Sequence, residues 1–357
     1  MKKLNLAIIG QGRSGKDIHG TYYRSEDNKY YNVRYVVDMD ELSRKRAEEL
    51  YPGCKTFADY RELFNCKDID VVVNAAYSDM HYSITKDLLE HKFNVMVDKP
   101  FSRTRYECEV LMKTARDNGV KVAVFQQSFY APYYREALKL IESGVLGQIR
   151  QITLHYNFLK RRWDWQTLQK KVGGDVYNTG PHPIGLGLGF LGFDDKAKLA
   201  YSRIAVTPLT SGDAENHAKL LIEAPDKPLV DIEITSTDAY NNYTLKIQGD
   251  YGTYKTNTIA YDYIYIVPEE NEPRPLVEET LRDADGQPIY CADSLNFHEF
   301  SGKYDGTAFE IGTAGIYKDL YYYITEGKEM FATAEQAARV ISIIEELHAA
   351  NPLPVKY

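Results

Sequence analysis

The sequence has few cysteines and no long apolar run. Its four cysteines are Cys54, Cys66, Cys108 and Cys291. They form no CxxC pair, and no histidine lies at a spacing from them that is typical of metal ligands. A disulfide framework and a metal site are therefore not expected, and reduced thiols are typical of a cytoplasmic protein. The longest glycine-tolerant apolar run, Ile184 to Phe193, is far shorter than the roughly 20 residues that a transmembrane helix needs. We expect a cytoplasmic chain with no metal and no membrane partner.

An excess of positive charge is also absent. The 357 residues include 43 Lys and Arg against 51 Asp and Glu, a net charge of -8, which disfavours a nucleic-acid partner. Lys2-Lys3 precede a short apolar stretch that runs directly into glycines, so we interpret it as a buried first strand rather than a signal peptide. At about 150 residues per domain, the length favours two domains.

Short β-branched runs alternate with amphipathic stretches in the first part of the chain, as in a doubly wound parallel sheet. Five strands are predicted, at Leu4–Ile9, Val33–Asp38, Asp70–Asn74, Asn94–Asp98 and Lys121–Phe125. Helices are predicted near 14–25, 41–50, 79–91 and 103–118, the last ending at Asn118-Gly119. Residues 1–127 are thus predicted to form a Rossmann-type dinucleotide-binding domain.

Longer alternating segments follow and read as largely antiparallel strands. They lie at Ile149–Phe158, Lys219–Glu223, Leu229–Thr237 and Tyr243–Gly249. Residues 262–296 lack periodicity and are interpreted as loops and short hairpins, and a final amphipathic helix is predicted at 333–350. The predicted fold class is α/β, in which residues 128–357 form an α+β domain with a large, open, mostly antiparallel sheet.

The segment Gly10-Gln11-Gly12-Arg13-Ser14-Gly15 follows the first strand and opens a helix, the context that gives a GxGxxG spacing its meaning. Gly10 would make the tight turn, Gly12 would let the backbone approach a pyrophosphate, and Gly15 would allow close packing of the helix. The helix N-terminus, with Arg13 and Ser14, would supply N–H donors to the phosphates. A structural turn without a ligand is the alternative.

Asp38 ends the second predicted strand, where a carboxylate can accept both ribose hydroxyls of adenosine and would repel a 2′-phosphate. Asp40 adds to that repulsion. NAD is therefore favoured over NADP, although Arg13, Arg44 and Lys45 are close enough in sequence to leave NADP open.

Three further motifs accompany the glycine loop: Asp98-Lys99-Pro100, a glycine pair and histidine within Gly173–His182, and a helix pair over Tyr317–Leu347. With them the chain resembles, over nearly its whole length, the glucose–fructose oxidoreductase / inositol dehydrogenase / MocA family of NAD(P)-dependent sugar and polyol oxidoreductases, which usually shows Glu-Lys-Pro at the first motif. The resemblance implies a Rossmann domain joined to a substrate-binding, open-sheet domain, through whose sheet copies associate as homodimers or homotetramers.

The resemblance assigns the chemistry to Lys99 and His182. A desolvated Lys99 ammonium would reach the nicotinamide, orient the reacting hydroxyl and ease its deprotonation, and a cis bond at Pro100 would aim it. His182, restricted between Pro181 and Pro183, would act as an acid/base poised near neutrality. The alternatives are a solvated lysine and a packing histidine in a proline-bounded turn.

The sequence departs from the family at the partners of this histidine. Asn178 stands four residues before it, where an aspartate is common, and Gly185 stands at a second position that is often aspartate. An amide cannot stabilise an imidazolium as a carboxylate does, so proton transfer should be weaker or shared with Lys99 or Tyr177. Our hypothesis is that Asn178 contacts the substrate or fixes the tautomer of His182.

Other residues near these motifs are candidates for binding the cofactor or the substrate. For the cofactor they are Ala76, His81, Asp98 and Gln127, and a helix-start packing role is equally open for His81. For the substrate they are Tyr130, Arg161, Trp163, Asp164 and Trp165, where an aromatic ring or guanidinium could stack on a sugar and Asp164 could accept hydroxyls. A solvated turn is the alternative for the cluster 161–165.

Three functions remain open. The first is hydride transfer between nicotinamide and a hydroxyl-bearing carbon of a sugar, polyol or sugar derivative. The second is redox-neutral glycoside cleavage, in which a hydroxyl is oxidised transiently. The third is a non-catalytic regulatory protein that binds NAD and a sugar, against which the presence of both Lys99 and His182 argues.

Overall fold

Two sheets organise the structure, a computed structural model that describes residues 2–357. A six-stranded parallel sheet comes from the first third of the chain, and an eight-stranded, mostly antiparallel sheet comes from the remainder. The predicted α/β fold class, a Rossmann sheet followed by an α+β domain with a large open sheet, is confirmed.

The first sheet has the strand order β3-β2-β1-β4-β5-β6, and its pairings are all parallel. Its strands are β1 Leu4–Ile9, β2 Tyr31–Val37, β3 Lys55–Phe57, β4 Val71–Asn74, β5 Val95–Val97 and β6 Val122–Val124. The prediction of five strands is wrong because β3 is a three-residue edge strand with no apolar run to mark it. The order reverses between β1 and β4, which opens a crevice at the carboxyl ends of the strands.

Helices connect these strands close to the predicted positions. They are α1 Gly20–Arg24, which continues a π-helical segment Arg13–His19, α2 Glu41–Leu50, α3 His81–Glu90 and α4 Arg105–Asn118. α4 starts with a reciprocal capping box between Thr104 and Glu107. It ends at Gly119, whose φ of 68° is the left-handed conformation that Asn118-Gly119 predicts.

The second sheet has the order β14-β13-β12-β11-β7-β10-β9-β8; β7 pairs with β10 in parallel and the other pairings are antiparallel. Its strands are β7 Ile149–Asn157, β8 Lys198–Ala205, β9 His217–Glu223, β10 Leu229–Thr235, β11 Leu245–Gly249, β12 Gly252–Thr256, β13 Ala260–Tyr265 and β14 His298–Lys303. Between β13 and β14 the chain is largely irregular and exposed, with a single bridge from Arg282 to Pro288. This agrees with the loops and hairpins predicted there.

Five helices lie in the second part of the chain. They are α5 Pro132–Glu142, α6 Asp175–Asn178, α7 Pro181–Phe190, α8 Ala308–Glu326 and α9 Ala334–Ala350. The alternative considered for His182, a histidine in a proline-bounded turn, is wrong about the turn, because Pro181 is the first residue of α7. A proline at that position gives up no helical hydrogen bond, since the first amides of a helix have no intrahelical acceptor.

Helix α8 returns from the second half of the chain to cover one face of the first sheet. Ile316, Tyr317 and Leu320 of α8 are buried against alternate residues of β1, β4 and β5, among them Ile8 and Val73. Tyr31 of β2 donates its hydroxyl hydrogen bond to the carbonyl of Tyr317 at 2.8 Å. The hydrophobic core of the first sheet is therefore completed by residues that lie far along the chain.

Within residues 2–357, no helix is long and apolar enough to cross a membrane. The same part of the chain contains no group of three or more His, Cys, Asp or Glu side chains that could hold a metal ion, and its four cysteines are free thiols.

Candidate active site

A cleft of about 1350 Å³ runs along the carboxyl edge of the first sheet and is closed on its other side by residues of the second domain. It brings together most of the residues predicted from the sequence. Those that line it are Gly10, Gly12, Arg13, Ser14, Asp38, Ala76, His81, Asp98, Lys99, Gln127, Arg161, Asp164, Trp165, Asn178 and His182. One continuous space thus joins the glycine loop to the predicted catalytic pair.

Three predicted side chains lie outside the cleft. The hydroxyl of Tyr130 donates to Asp319 at 2.7 Å, which ties it to α8 instead of the site. Trp163 is 74% exposed and does not line the cleft. The hydroxyl of Tyr177 donates to the carbonyl of Arg103 at 2.8 Å, so the structure does not support its role in proton transfer.

The glycine loop is a tight turn between β1 and the first helix. Gly10 has a φ of 91°, and a Cβ there would lie 2.4 Å from the carbonyl oxygen of Ala75, so only glycine fits. A Cβ on Gly15 would lie 1.9 Å from the carbonyl oxygen of Gly10, which places Gly15 beneath the loop as a packing residue. A Cβ on Gly12 would meet nothing within 4 Å, because this glycine faces open space in the cleft.

Asp38 lies directly after β2 at the far end of the cleft. Its carboxylate accepts hydrogen bonds from the backbone amides of Gln11, at 2.6 Å, and Asp40, at 2.9 Å. These bonds fix the carboxylate beside the glycine loop. Arg44 donates instead to the carbonyl oxygens of Asp38 and Met39, at 2.7 and 2.9 Å, which holds its guanidinium against the backbone.

Asp98 links the glycine loop to the predicted catalytic lysine. Its carboxylate accepts hydrogen bonds from the hydroxyl of Ser14 and, at 2.8 Å, from the backbone amide of Lys99. Burial would raise the pKa of Asp98, but His19, whose Nε2 lies 3.8 Å from the carboxylate, lowers it well below its usual range, together with the charge of Lys99 and the Ser14 bond. Asp98 is therefore an ionised carboxylate buried between loop and lysine.

Lys99 points across the cleft to the second domain. The Lys99–Pro100 bond is cis, as predicted. The Lys99 ammonium donates to the backbone carbonyl of Asn178 and to its side-chain oxygen, the latter at 3.3 Å. Burial lowers the pKa of Lys99, and the nearby charges of Arg162, Arg13 and Lys160 lower it further against the opposing effect of Asp98.

Asn178 is held in place by Gln166, whose side-chain amide donates to the Asn178 side-chain oxygen at 3.1 Å. No hydrogen bond joins Asn178 to His182 in the described chain, so the hypothesis that Asn178 fixes the tautomer of His182 is wrong. The role of this asparagine in the structure is to bind the lysine ammonium with neutral oxygens.

His182 lines the cleft from the first turn of α7, and its Nδ1 lies 3.2 Å from the hydroxyl of Ser128. Burial and the positive charge of Lys99 lower the pKa of His182 to about 3. The expectation of a histidine poised near neutrality is therefore wrong: this imidazole is neutral at physiological pH.

Contacts between the two domains close the cleft beside these groups. Lys171 forms an ion pair of 2.8 Å with Asp79, and the ring of Trp165 meets Tyr77 edge-on at a centroid distance of 4.9 Å. His81, the first residue of α3, lies between the carbonyl oxygens of Ala76 and Pro100, at 3.2 and 2.6 Å. Burial lowers the pKa of His81, and the ring connects the β4 loop to the segment that carries Lys99.

The cleft residues fit a dinucleotide. Open space above Gly12 leaves room for a pyrophosphate at the first amides of the helix, which have no intrahelical acceptor. Asp38 lies where an adenosine ribose would be held. Gln127 lines the cleft, and its side-chain oxygen is buried without a hydrogen-bond partner anywhere in residues 2–357. That oxygen is free to accept a hydrogen bond from a bound cofactor.

Sequence reasoning missed several residues in or next to the cleft. Ser128 and Gln166 act through His182 and Asn178, and nothing in the local pattern marks them. Lys160 lines the cleft beside Arg161 and Arg162, and the basic run Lys160-Arg161-Arg162 is a signal that could have been followed. Arg162 forms a two-bond ion pair with Asp164, at 2.8 and 3.1 Å, so this carboxylate is already engaged by a cation.

A Rossmann sheet with a glycine loop at its switch point, and a second domain that closes a cleft over it, define a two-domain dinucleotide-binding protein. The family model described as "Oxidoreductase family, NAD-binding Rossmann fold" matches residues 4–126, and the GFO/IDH/MocA C-terminal domain model matches residues 134–255. The chain belongs to the GFO/IDH/MocA oxidoreductase family.

Two curated relatives illustrate how distant the similarities are. The uncharacterized oxidoreductase C115.03 of Schizosaccharomyces pombe is 25% identical over 232 residues, which are 64% of this chain and 62% of the relative. The 2,7-anhydro-N-acetylneuraminate hydratase of Mediterraneibacter gnavus is 24% identical over 316 residues, 85% of this chain and 80% of the relative. The chain matches between 45% and 62% of the length of the uncharacterized oxidoreductases C115.03, YhhX and C26H5.09c.

Solved structures share the fold over the whole chain. The oxidoreductase yvaA from Bacillus subtilis has a TM-score of 0.78 at 17% identity and covers 98% of this chain and 96% of its own. GenD2 from gentamicin A biosynthesis, in complex with NAD, has a TM-score of 0.74 at 17% identity, covering 98% and 94%. KijD10, a 3-ketoreductase from Actinomadura kijaniata in complex with NADP, has a TM-score of 0.75 at 15% identity, covering 98% of both chains.

Proposed function

We propose that the protein is a cytoplasmic NAD(P)-dependent oxidoreductase that transfers hydride between the nicotinamide and a hydroxyl-bearing carbon of a sugar, polyol or sugar derivative. One observation carries this proposal: Lys99 and His182 line the same cleft as the glycine loop. Lys99 follows β5 and Asp38 follows β2, which lie on opposite sides of β1. Basic groups are needed in the cleft because oxidation of an alcohol releases the hydroxyl proton. A bound nicotinamide supplies the hydride acceptor or donor.

Lys99 is the stronger candidate for the proton acceptor. Burial and neighbouring cations lower its pKa, so the neutral amine, which can take a hydroxyl proton, is more populated than in an ordinary lysine. His182, with a pKa of about 3, is a weak base and remains neutral when the proton moves. Its neutral ring, held at Nδ1 by Ser128, would orient the hydroxyl by a hydrogen bond.

NAD is proposed in preference to NADP. Asp38, Asp40 and Asp59 all line the adenosine end of the cleft and would repel a 2′-phosphate. Arg44, which follows Asp38 by six residues, is bonded to backbone carbonyls and does not line the cleft. Among proteins of this fold, GenD2 is seen with NAD and KijD10 with NADP, so the choice has to follow from the local charges.

An absorbance screen for the reduced nicotinamide tests the proposal. The purified protein is incubated with NAD or NADP and a panel of polyols, keto-sugars and glycosides, and the absorbance band of the reduced cofactor is followed. We expect turnover with at least one substrate and a higher kcat/KM with NAD. Binding of the cofactor without turnover of any sugar or polyol would favour the regulatory, non-catalytic alternative.

A redox-neutral reaction is the second candidate. The relative from Mediterraneibacter gnavus that aligns with 85% of this chain is named a hydratase, a name that denotes addition of water without net oxidation. A chromogenic glycoside separates the two candidates. Release of the aglycone without accumulation of NADH supports the redox-neutral reaction, and steady formation of NADH from a free polyol excludes it as the main activity.

A further inference from the structure

Three consecutive basic residues, Lys160, Arg161 and Arg162, line the cleft. Their backbone is anchored on both sides: the amide of Lys160 donates to the carbonyl of Ser236 at 3.2 Å, and the amide of Arg162 donates to that of Leu209 at 2.9 Å. The run is therefore part of the folded cleft wall. Its place in the cleft is fixed by β10 and the loop after β8.

Two of these three cations are neutralised by carboxylates. Arg162 pairs with Asp164, and the Lys160 ammonium lies 3.3 Å from the buried carboxylate of Asp175. Arg161 forms no ion pair with any carboxylate in the part of the chain that the structure describes.

Lys99 adds a further positive charge to this end of the cleft. Its ammonium is bound by the neutral oxygens of Asn178 rather than by a carboxylate. Asp98, beside it in the chain, accepts from Ser14 and from the Lys99 amide. The four cations at this end, which are Lys99, Lys160, Arg161 and Arg162, thus face the three carboxylates of Asp98, Asp164 and Asp175.

One positive charge, on the exposed guanidinium of Arg161, is left without a carboxylate partner at the substrate end. The cations of the cleft repel each other, and a bound anion relieves that repulsion. A guanidinium also matches the two oxygens of a carboxylate with two parallel hydrogen bonds. A phosphate monoester carries close to two negative charges and would overcompensate a single cation.

We propose that the substrate is a sugar acid, whose carboxylate is bound by Arg161 while its hydroxyl group faces Lys99 and His182. This inference rests on the proposed function and names the substrate class of the same site. Arg161 is then a specificity-determining residue: it selects the carboxylate and takes no part in the proton transfer.

Matched pairs of ligands test the inference. The protein is loaded with NADH, and its nicotinamide fluorescence is titrated with D-glucuronate and D-glucose, D-galacturonate and D-galactose, and D-gluconate and D-glucitol, with D-glucose 6-phosphate as the phosphate arm. We expect at least one carboxylate to bind tenfold or more tightly than its neutral partner, and more tightly than the phosphate. Equal affinity within every pair, or a preference for the phosphate, would overturn the proposal.

Variants at Arg161 identify the residue responsible. Arg161→Gln should abolish the preference for the carboxylate and leave the affinity for NADH within about twofold, whereas Arg161→Lys should retain most of the preference. Lys170→Gln removes the same charge from an exposed residue outside the cleft and should change neither affinity. A preference that survives Arg161→Gln would refute the assignment to Arg161. Failure of the wild-type protein to bind NADH would instead contradict the proposed function itself.

Discussion

At the residue scale, the contact between Lys99 and Asn178 sets the chemistry of the cleft. A carboxylate at position 178 would hold the ammonium in its charged form, whereas the neutral oxygens of asparagine leave Asp98 as the carboxylate that opposes the effect of burial on the pKa of Lys99. In the family pattern, the residue at position 178 pairs with the histidine. In this chain Asn178 instead contacts Lys99, so its replacement of the usual aspartate affects the pKa of the lysine.

Replacement of Lys99 should abolish turnover. Lys99→Met removes the proposed proton acceptor, and Lys99→Arg keeps the positive charge on a group that does not deprotonate in proteins. We expect both variants to lose at least about a thousandfold in kcat, in line with general-base catalysis contributing roughly 10²–10⁴-fold. NADH fluorescence should show affinity within a few-fold of the wild type. If Lys99→Arg retained substantial activity, the lysine would act by charge alone.

The pH dependence of kcat/KM should follow Lys99. For alcohol oxidation the rate should rise with pH through the lowered pKa of the lysine, with no separate limb near the ordinary histidine value of 6.5, because the pKa of His182 is about 3. Asn178→Asp should move the rise to higher pH, since a carboxylate stabilises the ammonium. Asn178→Ser, which adds no charge, serves as the control. An unshifted profile in Asn178→Asp would show that another group titrates.

At the scale of secondary-structure elements, α6 carries Asn178 and depends on a buried ion pair for its position. The carboxylate of Glu215 accepts from the amide of Val176 at 3.0 Å and lies 3.2 Å from Nε2 of His348 in α9. A Cβ on Gly174, directly before α6, would lie 2.2 Å from this carboxylate. The pair thus fixes the start of the helix whose last residue binds Lys99.

Stability should depend on the protonation of His348. Burial lowers the pKa of His348, but the hydrogen bond and charge of Glu215 outweigh it, and the net pKa is raised above 6.5. The stabilisation is therefore fully present below pH 6.5 and is lost as the pH rises through the raised pKa of the folded state. His348→Gln should lower the free energy of unfolding at pH 6 by about 1–3 kcal/mol, the usual cost of removing a partner from a buried polar group.

Chemical denaturation at pH 6 and pH 9 measures this effect. The difference between wild type and His348→Gln should shrink at the higher pH. His91→Gln, at an exposed ion pair with Asp87, is the matched control and should change stability by no more than about 1 kcal/mol. A difference between wild type and His348→Gln that did not vary with pH would rule out the protonated pair.

Sequence patterns predicted correctly those helices and strands whose ends are marked by neighbouring residues. The bounds of β1 and α2 match the prediction, because an apolar run and the Asp40 cap mark them directly. Helix α7 was not predicted, because its sequence contains two prolines and three alternate glycines, which are unfavourable in helix interiors. Those glycines bring α7 close to its neighbours: a Cβ on Gly187 would lie 2.8 Å from Val230. This packing involves residues that are distant in sequence, so the residues around α7 alone do not predict it.

The same limit applies to the site. The glycine loop, Asp38, Lys99 and His182 were found from motifs, because each follows or opens a regular element. The bond between Lys99 and Asn178 joins residues 79 positions apart on two domains, and Ser128 reaches His182 across 54 positions. The first pairing depends on how the two domains close, and the second depends on how the second domain itself folds. The pKa of His182 depends on the burial that results.

At the scale of the whole molecule, α8 connects the two domains by packing on the first sheet. Tyr317 is completely buried among Tyr22, Tyr23 and Tyr31, and its hydroxyl lies 2.6 Å from Nδ1 of His19. The first sheet and the second half of the chain should therefore unfold together.

Truncation of Tyr317 tests this coupling. Tyr317→Ala should cost about 3–5 kcal/mol, the usual loss for a buried aromatic side chain, and Tyr317→Phe about 1 kcal/mol for the single hydroxyl contact. Differential scanning calorimetry should show one transition in the wild type. A separate early transition of the second domain, with the first sheet unaffected by Tyr317→Ala, would contradict the coupling.

We propose that copies of the chain associate through the outer face of the second sheet as a dimer or tetramer. Val230, Ile232 and other alternate residues point into the core, while Lys219, Asp231 and Glu233 form a partly exposed charge cluster on the opposite face. Analytical ultracentrifugation should give a mass of two or four chains. Lys219→Glu, which opposes like charges on this face, should weaken association, and a monomeric wild type would contradict the proposal.

The return of α8 also has a consequence for synthesis on the ribosome. Domains commonly fold in order as they emerge, beginning with the N-terminal one. Here the hydrogen bond from Tyr31 to Tyr317 spans 286 positions, so one apolar face of the nascent first sheet stays uncovered until α8 leaves the exit tunnel. During that interval the growing chain should be a substrate for chaperones that bind exposed apolar surface, and the dinucleotide cleft can be completed only when translation is nearly finished.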